Sequence, residues 1–123
     1  MYSVEEDRRT GIVRITSAGF WDVSTVDAMI EELVPIVRRI QASGRPLLMV
    51  NDAREFPVQS KDVRERFSRM GKLLGMKPDR LAIISTSALF KLQGQRVDTV
   101  GARYFPTPEE AEAWLLGTLQ PAG

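Results

Sequence analysis

Short apolar segments alternate with longer amphipathic ones along most of the chain. Residues 47–50 and 81–85 are apolar runs of the length typical of strands buried on both faces. Each run follows a segment with apolar residues at helical spacing, about residues 25–42 and 61–74. Strands separated by helices of this length are joined most simply by right-handed crossovers, which predicts a mostly parallel sheet.

The beginning of the chain predicts a β-hairpin. Two strand-like runs, residues 2–7 and 11–18, are separated by turn residues. In the second run Val13 and Ile15 fall on one face, as in a half-buried strand. We therefore expect an antiparallel opening pair in a sheet of about five strands.

Capping residues indicate where two of the helices begin. Ser24 and Asp27 resemble a capping box at the start of the first helix, and Pro35 within it predicts either a kink or one unpaired carbonyl. Thr107 and Glu110 bracket a first-turn proline and predict the start of the last helix. We expect this last helix to bury Ala111, Trp114, Leu115 and Leu119.

The predicted order of elements is β, β, α, β, α, β, α, β, α. Residues 88–97 supply the third and weakest helical pattern, and residues 102–105 supply a short strand. Because no repeat, low-complexity tract or linker interrupts the sequence, residues 1–123 are expected to form a single domain. Residues 121–123 are expected to be a frayed end.

Histidine and cysteine are both absent. Without imidazole the chain lacks the most frequent general base and metal ligand, which excludes histidine-based triads and zinc hydrolysis. Without cysteine it has no disulfide or thiolate nucleophile, as is usual in a reducing compartment. The charged N-terminus and the lack of long apolar stretches predict a cytoplasmic protein with no membrane span.

Charge is balanced overall but not locally. The 17 basic and 16 acidic side chains leave a net charge of +1, which disfavours nucleic acid as a partner. From residue 61 to residue 80, seven basic minus three acidic side chains give +4. An anionic partner could bind there, but the spacing of Asp62 with Arg66 and of Glu65 with Arg69 favours an ordinary solvated helix.

Asp52 is the strongest polar candidate for a site. It is predicted to lie just beyond the carboxyl end of a buried strand, where ligands of open α/β sheets bind, with Arg54 close to it. The alternative is structural, since Asn51 and Asp52 also suit a turn in which they accept hydrogen bonds from loop amides. We favour the structural role.

Phe20 and Trp21 form an aromatic pair after Gly19. If exposed, the pair would offer an apolar patch to a ligand or partner. An aromatic pair beside a helix start more often belongs to the core or to a hydrophobic staple. We favour the core for both rings.

The segment 102–115 reads ARYFPTPEEAEAWL. Its phenylalanine, turn, Glu-Glu-Ala and Trp-Leu resemble the last strand and helix of the SpoIIAA-like proteins, relatives of the STAS and SEC14 folds. The predicted opening hairpin, the glycine before the first helix and the strand ending in Asp52 agree with that family in order. The resemblance spans nearly the whole chain and implies a SpoIIAA-like α/β domain.

The resemblance also implies a candidate switch residue. In the anti-sigma-factor antagonists of the STAS family, a serine at the start of the helix after the third strand is phosphorylated and switches partner binding. Ser60 is the nearest position, but the family's Asp-Ser-Ser/Gly-Gly run is replaced by VQSKD. We favour a helix N-cap for Ser60. The candidate binding or switch residues are Asp52, Arg54, Ser60, Lys61 and Arg64.

Three functions follow as hypotheses. The first is a non-catalytic bacterial regulatory or interaction module that binds a protein partner or itself, as the resemblance to STAS regulators implies. The second is a small carrier or sensor of an apolar ligand, as resemblance to SEC14 domains implies, with a cavity on the order of a few hundred Å³. The third is an enzyme with Asp52 as base and Arg54 or Lys61 holding an anion. The sequence contains no phosphate-binding loop, and no cofactor is predicted.

Overall fold

Strands and helices follow one another in the predicted order. The computed structural model describes residues 1–75, 77–97 and 101–117, so the frayed end expected at 121–123 and the expected burial of Leu119 lie outside the described residues. The strands are β1 (Tyr2–Asp7), β2 (Ile12–Ala18), β3 (Leu48–Glu55), β4 (Arg80–Ile84) and β5 (Arg103–Phe105). The helices are α1 (Val23–Ala42), α2 (Lys61–Leu74), α3 (Ala88–Val97) and α4 (Pro108–Gly117).

The five strands form one mixed sheet in the order β1-β2-β3-β4-β5. β1 pairs with β2 in antiparallel fashion, and the other neighbours are parallel. This confirms the opening hairpin and the mostly parallel sheet. The carboxyl ends of β2, β3 and β4 therefore lie along one edge, which we call the carboxyl edge. The hairpin turn lies at the opposite, amino edge.

Both faces of the central strands are buried. On one face Val13, Ile15 and Met49 pack with residues of α1 and α2, and Phe90 of α3 joins them. On the other face, which we call the α4 face, strand residues pack against α4. This second cluster contains Ile12, Leu48, Val50, Ala82, Ile84, Ala111 and Leu115. The expected burial of Ala111 and Leu115 is thus confirmed, while Trp114 is half-buried.

Helix α1 begins two residues earlier than predicted. Its N-cap is Asp22, whose carboxylate accepts hydrogen bonds from the backbone N–H of Thr25 at 2.9 Å and from the hydroxyl of Ser24 at 2.8 Å. Ser24 is therefore a partner of the cap and not the cap itself. The hydroxyl of Ser24 and the backbone and hydroxyl of Thr25 lower the pKa of Asp22 to about 2.

Strand β3 is longer than its apolar run. Residue pairing continues past Val50, because Asp52 lies opposite Thr16 of β2 and Ile84 of β4. The prediction that Asp52 lies beyond the end of the strand was wrong. Backbone pairing does not depend on apolar side chains, so a polar residue can end the hydrophobic pattern without ending the strand.

The charged pairs predicted within α2 differ from those in the structure. Arg66 binds Asp27 of α1 through Nε at 2.8 Å and Nη2 at 2.9 Å, and not Asp62. Glu65 lies 3.8 Å from Lys61. The prediction was wrong because α2 packs beside α1, which offers Arg66 a carboxylate in a two-point geometry that a helical neighbour does not match.

Candidate functional site

Asp52 and Arg54 form a two-point ion pair on the α4 face. Arg54 donates from Nε to Oδ1 of Asp52 at 2.9 Å and from Nη2 to Oδ2 at 2.6 Å. These hydrogen bonds and the positive charge of Arg54 hold the pKa of Asp52 below its ordinary value. A carboxylate whose two oxygens are both occupied and whose pKa is low is poorly suited to act as a general base.

The surroundings of this pair are open and polar. A surface cavity of about 340 Å³ is lined by Thr16, Ser17, Ala18, Asp52, Arg54 and Glu55. A second cavity, of about 200 Å³, lies at the amino edge and is also lined by charged side chains. Neither is the enclosed apolar pocket that binding of a lipid-like ligand requires. Within the described part of the chain, no three acidic side chains are placed to hold a metal ion.

The start of α2 carries the other three candidate residues. Ser60 is the N-cap, and its Oγ accepts a hydrogen bond from the backbone N–H of Val63 at 3.4 Å. Lys61 is exposed. Arg64 is half-buried and donates from Nε to the carbonyl oxygen of Gln59 at 3.2 Å. The N-cap role favoured for Ser60 is confirmed.

Gln59 is a structural residue that the sequence did not reveal. It is 6% exposed, and its Oε1 accepts a hydrogen bond from the backbone N–H of Trp21 at 2.8 Å. Its Nε2 donates to the carbonyl oxygens of Gly19 at 3.0 Å and Pro57 at 2.7 Å. One buried amide therefore fixes the β2–α1 turn to the segment that precedes α2.

The two residues of the aromatic pair have opposite environments. Trp21 is 7% exposed and packs against Tyr2, Phe56 and Phe67, as expected for a core residue. Phe20 is 80% exposed, so its assignment to the core was wrong. Its ring points outward because Gln59 holds the residues on both sides of it and Trp21 fills the adjacent core position.

The predicted candidates thus fall into two groups. Asp52 and Arg54 lie on the α4 face of β3, whereas α2 begins on the other side of the carboxyl edge. Gln59 brings the turn that carries Phe20 next to the first turn of α2. We call the group formed by Phe20, Ser60, Lys61 and Arg64 the carboxyl-edge surface.

The hairpin, the order of the five strands and the four helices define a SpoIIAA-like α/β fold. The crystal structure of an uncharacterized protein from the DUF3478 family with a SpoIIAA-like fold, from Shewanella loihica PV-4, is similar with a TM-score of 0.67. The match covers 94% of this chain and 92% of that chain, at 16% sequence identity. It confirms the resemblance at the level of the fold. No protein-family model and no curated protein matches the sequence.

The length and composition of the helices test the prediction that the chain has no membrane span. Among the described residues, no helix is both long enough and apolar enough to cross a bilayer.

Proposed function

We propose that this chain is a non-catalytic interaction module that binds a protein partner through the carboxyl-edge surface. The observation that carries the proposal is the exposed ring of Phe20 on a turn that Gln59 fixes at both ends. Aromatic side chains are enriched in protein interfaces, and a fixed backbone has little conformational entropy to lose on binding.

The neighbours of Phe20 indicate the chemistry of the partner. Lys61 is paired with Glu65 at 3.8 Å and Asp62 lies in the same turn, but Arg64 forms no ion pair among the described residues, and the amino end of the helix adds a partial positive charge. A complementary partner would offer an apolar pocket for the ring, bordered by carboxylates. Electrostatic complementarity of this kind increases the association rate and the specificity of binding.

The competing functions have less support. Asp52 is paired with Arg54, and the sequence contains neither histidine nor cysteine to supply another base or nucleophile. An apolar carrier needs an enclosed pocket, and the two surface cavities described above are open and lined by charged residues. These observations favour the interaction module.

The test begins with a photo-crosslinking amino acid, p-benzoylphenylalanine, placed at position 20 of the chain in its host cell. The matched control is the same amino acid at Leu73, which is 71% exposed on α2 at the other end of that helix. We expect one discrete crosslinked protein at position 20 and none at position 73. The crosslinked protein is then purified, and its affinity for the chain is measured by calorimetry.

The affinity of two variants decides the outcome. Phe20→Ser should weaken binding of the purified partner by about 10-fold or more, as is usual for a central interface residue. Leu73→Ser should change it by less than about 2-fold. If both variants bind like the wild type, or if positions 20 and 73 crosslink alike, the carboxyl-edge surface is not the binding site. A crosslink to a second copy of the chain would identify the partner as the chain itself.

A further inference from the structure

The amino edge of the sheet contains a depression bordered by three arginines. Arg8 and Arg9 lie in the β1–β2 turn, and Arg45 lies in the loop between α1 and β3. Together with Thr10 and Gly11 they line the cavity of about 200 Å³. This site is at the opposite end of the strands from the carboxyl-edge surface.

The turn is held in place by its own hydrogen bonds. The carboxylate of Asp7 accepts from the backbone N–H groups of Arg9 at 3.0 Å and Thr10 at 3.3 Å. Gly11 has a φ of 77°, and a Cβ at this position would lie 4.0 Å from Nη1 of Arg45. The backbone of the turn and the guanidinium of Arg45 are therefore close neighbours.

Arg45 is oriented before any ligand binds. Its Nε donates to Oγ of Ser43 at 3.1 Å, and its Nη2 lies 3.4 Å from Oε2 of Glu6. Glu6 is shared, because its other oxygen accepts a hydrogen bond from Arg39. Arg39, Arg45 and Glu6 together therefore keep a net positive charge, and the hydrogen bonds of Arg45 orient its guanidinium for binding an anion.

Among the described residues, Arg8 and Arg9 have no compensating carboxylate. The two nearest acids in sequence are occupied, since Glu6 binds Arg39 and Arg45 while Asp7 binds the turn amides and Arg14. Within residues 1–75, 77–97 and 101–117, no ion pair involves Arg8 or Arg9. The depression therefore carries an excess of positive charge.

We propose that this depression binds a phosphoryl dianion, either inorganic phosphate or the phosphate of a small monoester. Guanidinium groups bind phosphate oxygens in a planar, two-point geometry. A dianion balances the charges of Arg8 and Arg9, whereas a monocarboxylate balances one of them. The cavity is smaller than the roughly 300–1,000 Å³ of typical sites for larger ligands, so it accommodates the phosphoryl group and not a bulky remainder.

The test is an NMR titration of the full chain at low ionic strength and pH 7.5. Inorganic phosphate, glycerol 3-phosphate and acetate are added separately. We expect phosphate and glycerol phosphate to cause saturable shifts at the backbone amides of residues 8–11 and 45, and acetate to bind at least about 10-fold more weakly. Absence of saturable shifts, or equal affinity for acetate, would overturn the proposal.

Variants separate a built site from general electrostatic attraction. Arg8→Gln with Arg9→Gln should weaken phosphate binding by about 10-fold or more, because charge-assisted hydrogen bonds are lost. The control removes two exposed charges from α2, Arg69→Gln with Lys72→Gln, and should change the affinity by less than about 2-fold. Equal losses in the two double variants would overturn the proposal.

Two further measurements test the binding geometry and the molecule that carries the phosphoryl group. Arg8→Lys with Arg9→Lys keeps the charge but loses the planar geometry, and should bind with intermediate affinity; an affinity equal to that of the wild type would overturn the two-point geometry. Vesicles of phosphatidylcholine with phosphatidic acid test the lipid source. If they bind more tightly than glycerol phosphate and the glutamine variant abolishes this binding, the phosphoryl group belongs to a lipid headgroup.

Discussion

Gln59 is a buried amide whose three hydrogen bonds join two loops of the chain. Truncation to alanine leaves the backbone N–H of Trp21 and the carbonyls of Gly19 and Pro57 without these partners. An unsatisfied buried donor costs about 1–3 kcal/mol, so we expect Gln59→Ala to lower the free energy of unfolding by about 2 kcal/mol. Urea denaturation measures this change.

The matched control for Gln59 is an exposed glutamine. Gln41→Ala, near the end of α1, should change the free energy of unfolding by no more than about 0.5 kcal/mol. If the two substitutions have equal effects, the bridging role of Gln59 is wrong.

Among the described residues, Asp22 has the most strongly shifted carboxyl pKa. Its pKa falls from 3.8 to about 2 on folding, chiefly through the hydroxyl of Ser24 and the groups of Thr25. A lowered carboxyl pKa stabilises the fold above the unfolded pKa, and this stabilisation is lost as pH falls through the folded pKa. The contribution of Asp22 should therefore disappear between about pH 4 and about pH 2.

The substitution that tests this is Asp22→Asn, because asparagine also caps a helix but does not titrate. As the pH falls from about 4 to about 2, the unfolding midpoint of the wild type should fall relative to that of the variant. A carbon-detected NMR titration of Asp22 gives its pKa directly. An ordinary pKa near 3.8, or a midpoint difference independent of pH, would contradict the assignment.

At the scale of elements, Gly94 of α3 leaves room for the side chain of Tyr104 on β5. A Cβ on Gly94 would lie 1.9 Å from the hydroxyl oxygen and 3.0 Å from Cζ of Tyr104. Gly94→Ala should therefore destabilise the protein by about 1–3 kcal/mol, although alanine is the better helix former. In a Tyr104→Phe background this loss should be smaller, because the hydroxyl is gone.

Gly71 on α2 is the comparison for Gly94, since an added Cβ there would have no neighbour within 4 Å. Gly71→Ala should stabilise the protein by about 0.5–1 kcal/mol through helix propensity alone. Thermal and urea unfolding of the four variants measure both effects. If both glycine substitutions stabilise, the close approach of α3 to Tyr104 is not present in solution.

Elements defined by local patterns were predictable from the sequence. The bounds of α2 and α3 agree with the predicted ones, because apolar periodicity and capping act within a few residues. Strand β3 was predicted too short because Asn51 and Asp52 end its apolar run while the backbone pairing continues. Gly94 weakens the helical pattern of α3. The sequence alone does not explain this glycine, because the side chain it lies against, Tyr104, belongs to a distant strand.

The site was less predictable than the fold. Asp52, Arg54, Ser60, Lys61 and Arg64 remain predicted binding residues, and the structure separates them into two groups. The predicted burial of Phe20 was wrong because its exposure depends on Gln59, which lies 38 positions from Trp21 in the sequence. Nothing within the local sequence indicates that these two loops meet.

At the scale of the whole molecule, the two faces of the sheet are covered unequally. Helices α1 and α2, with Phe90 of α3, cover one face, whereas among the described helices only α4 packs on the other. Leu115 is 0% exposed and lies in the cluster that α4 forms with the central strands. Leu115→Ala should cost about 2–5 kcal/mol, because it removes buried contacts and leaves a cavity.

A loss of that size is a large part of the roughly 5–15 kcal/mol that stabilises a typical domain, so the consequence should extend beyond α4. Undocking of α4 would expose Ile12, Val50 and Ile84, which no other described helix covers. We expect hydrogen exchange in Leu115→Ala to accelerate in β3 and β4 together with α4, while Leu92→Ala, a truncation of an exposed leucine, leaves exchange unchanged. Faster exchange confined to α4 would show instead that the sheet remains stable without the helix that covers this face.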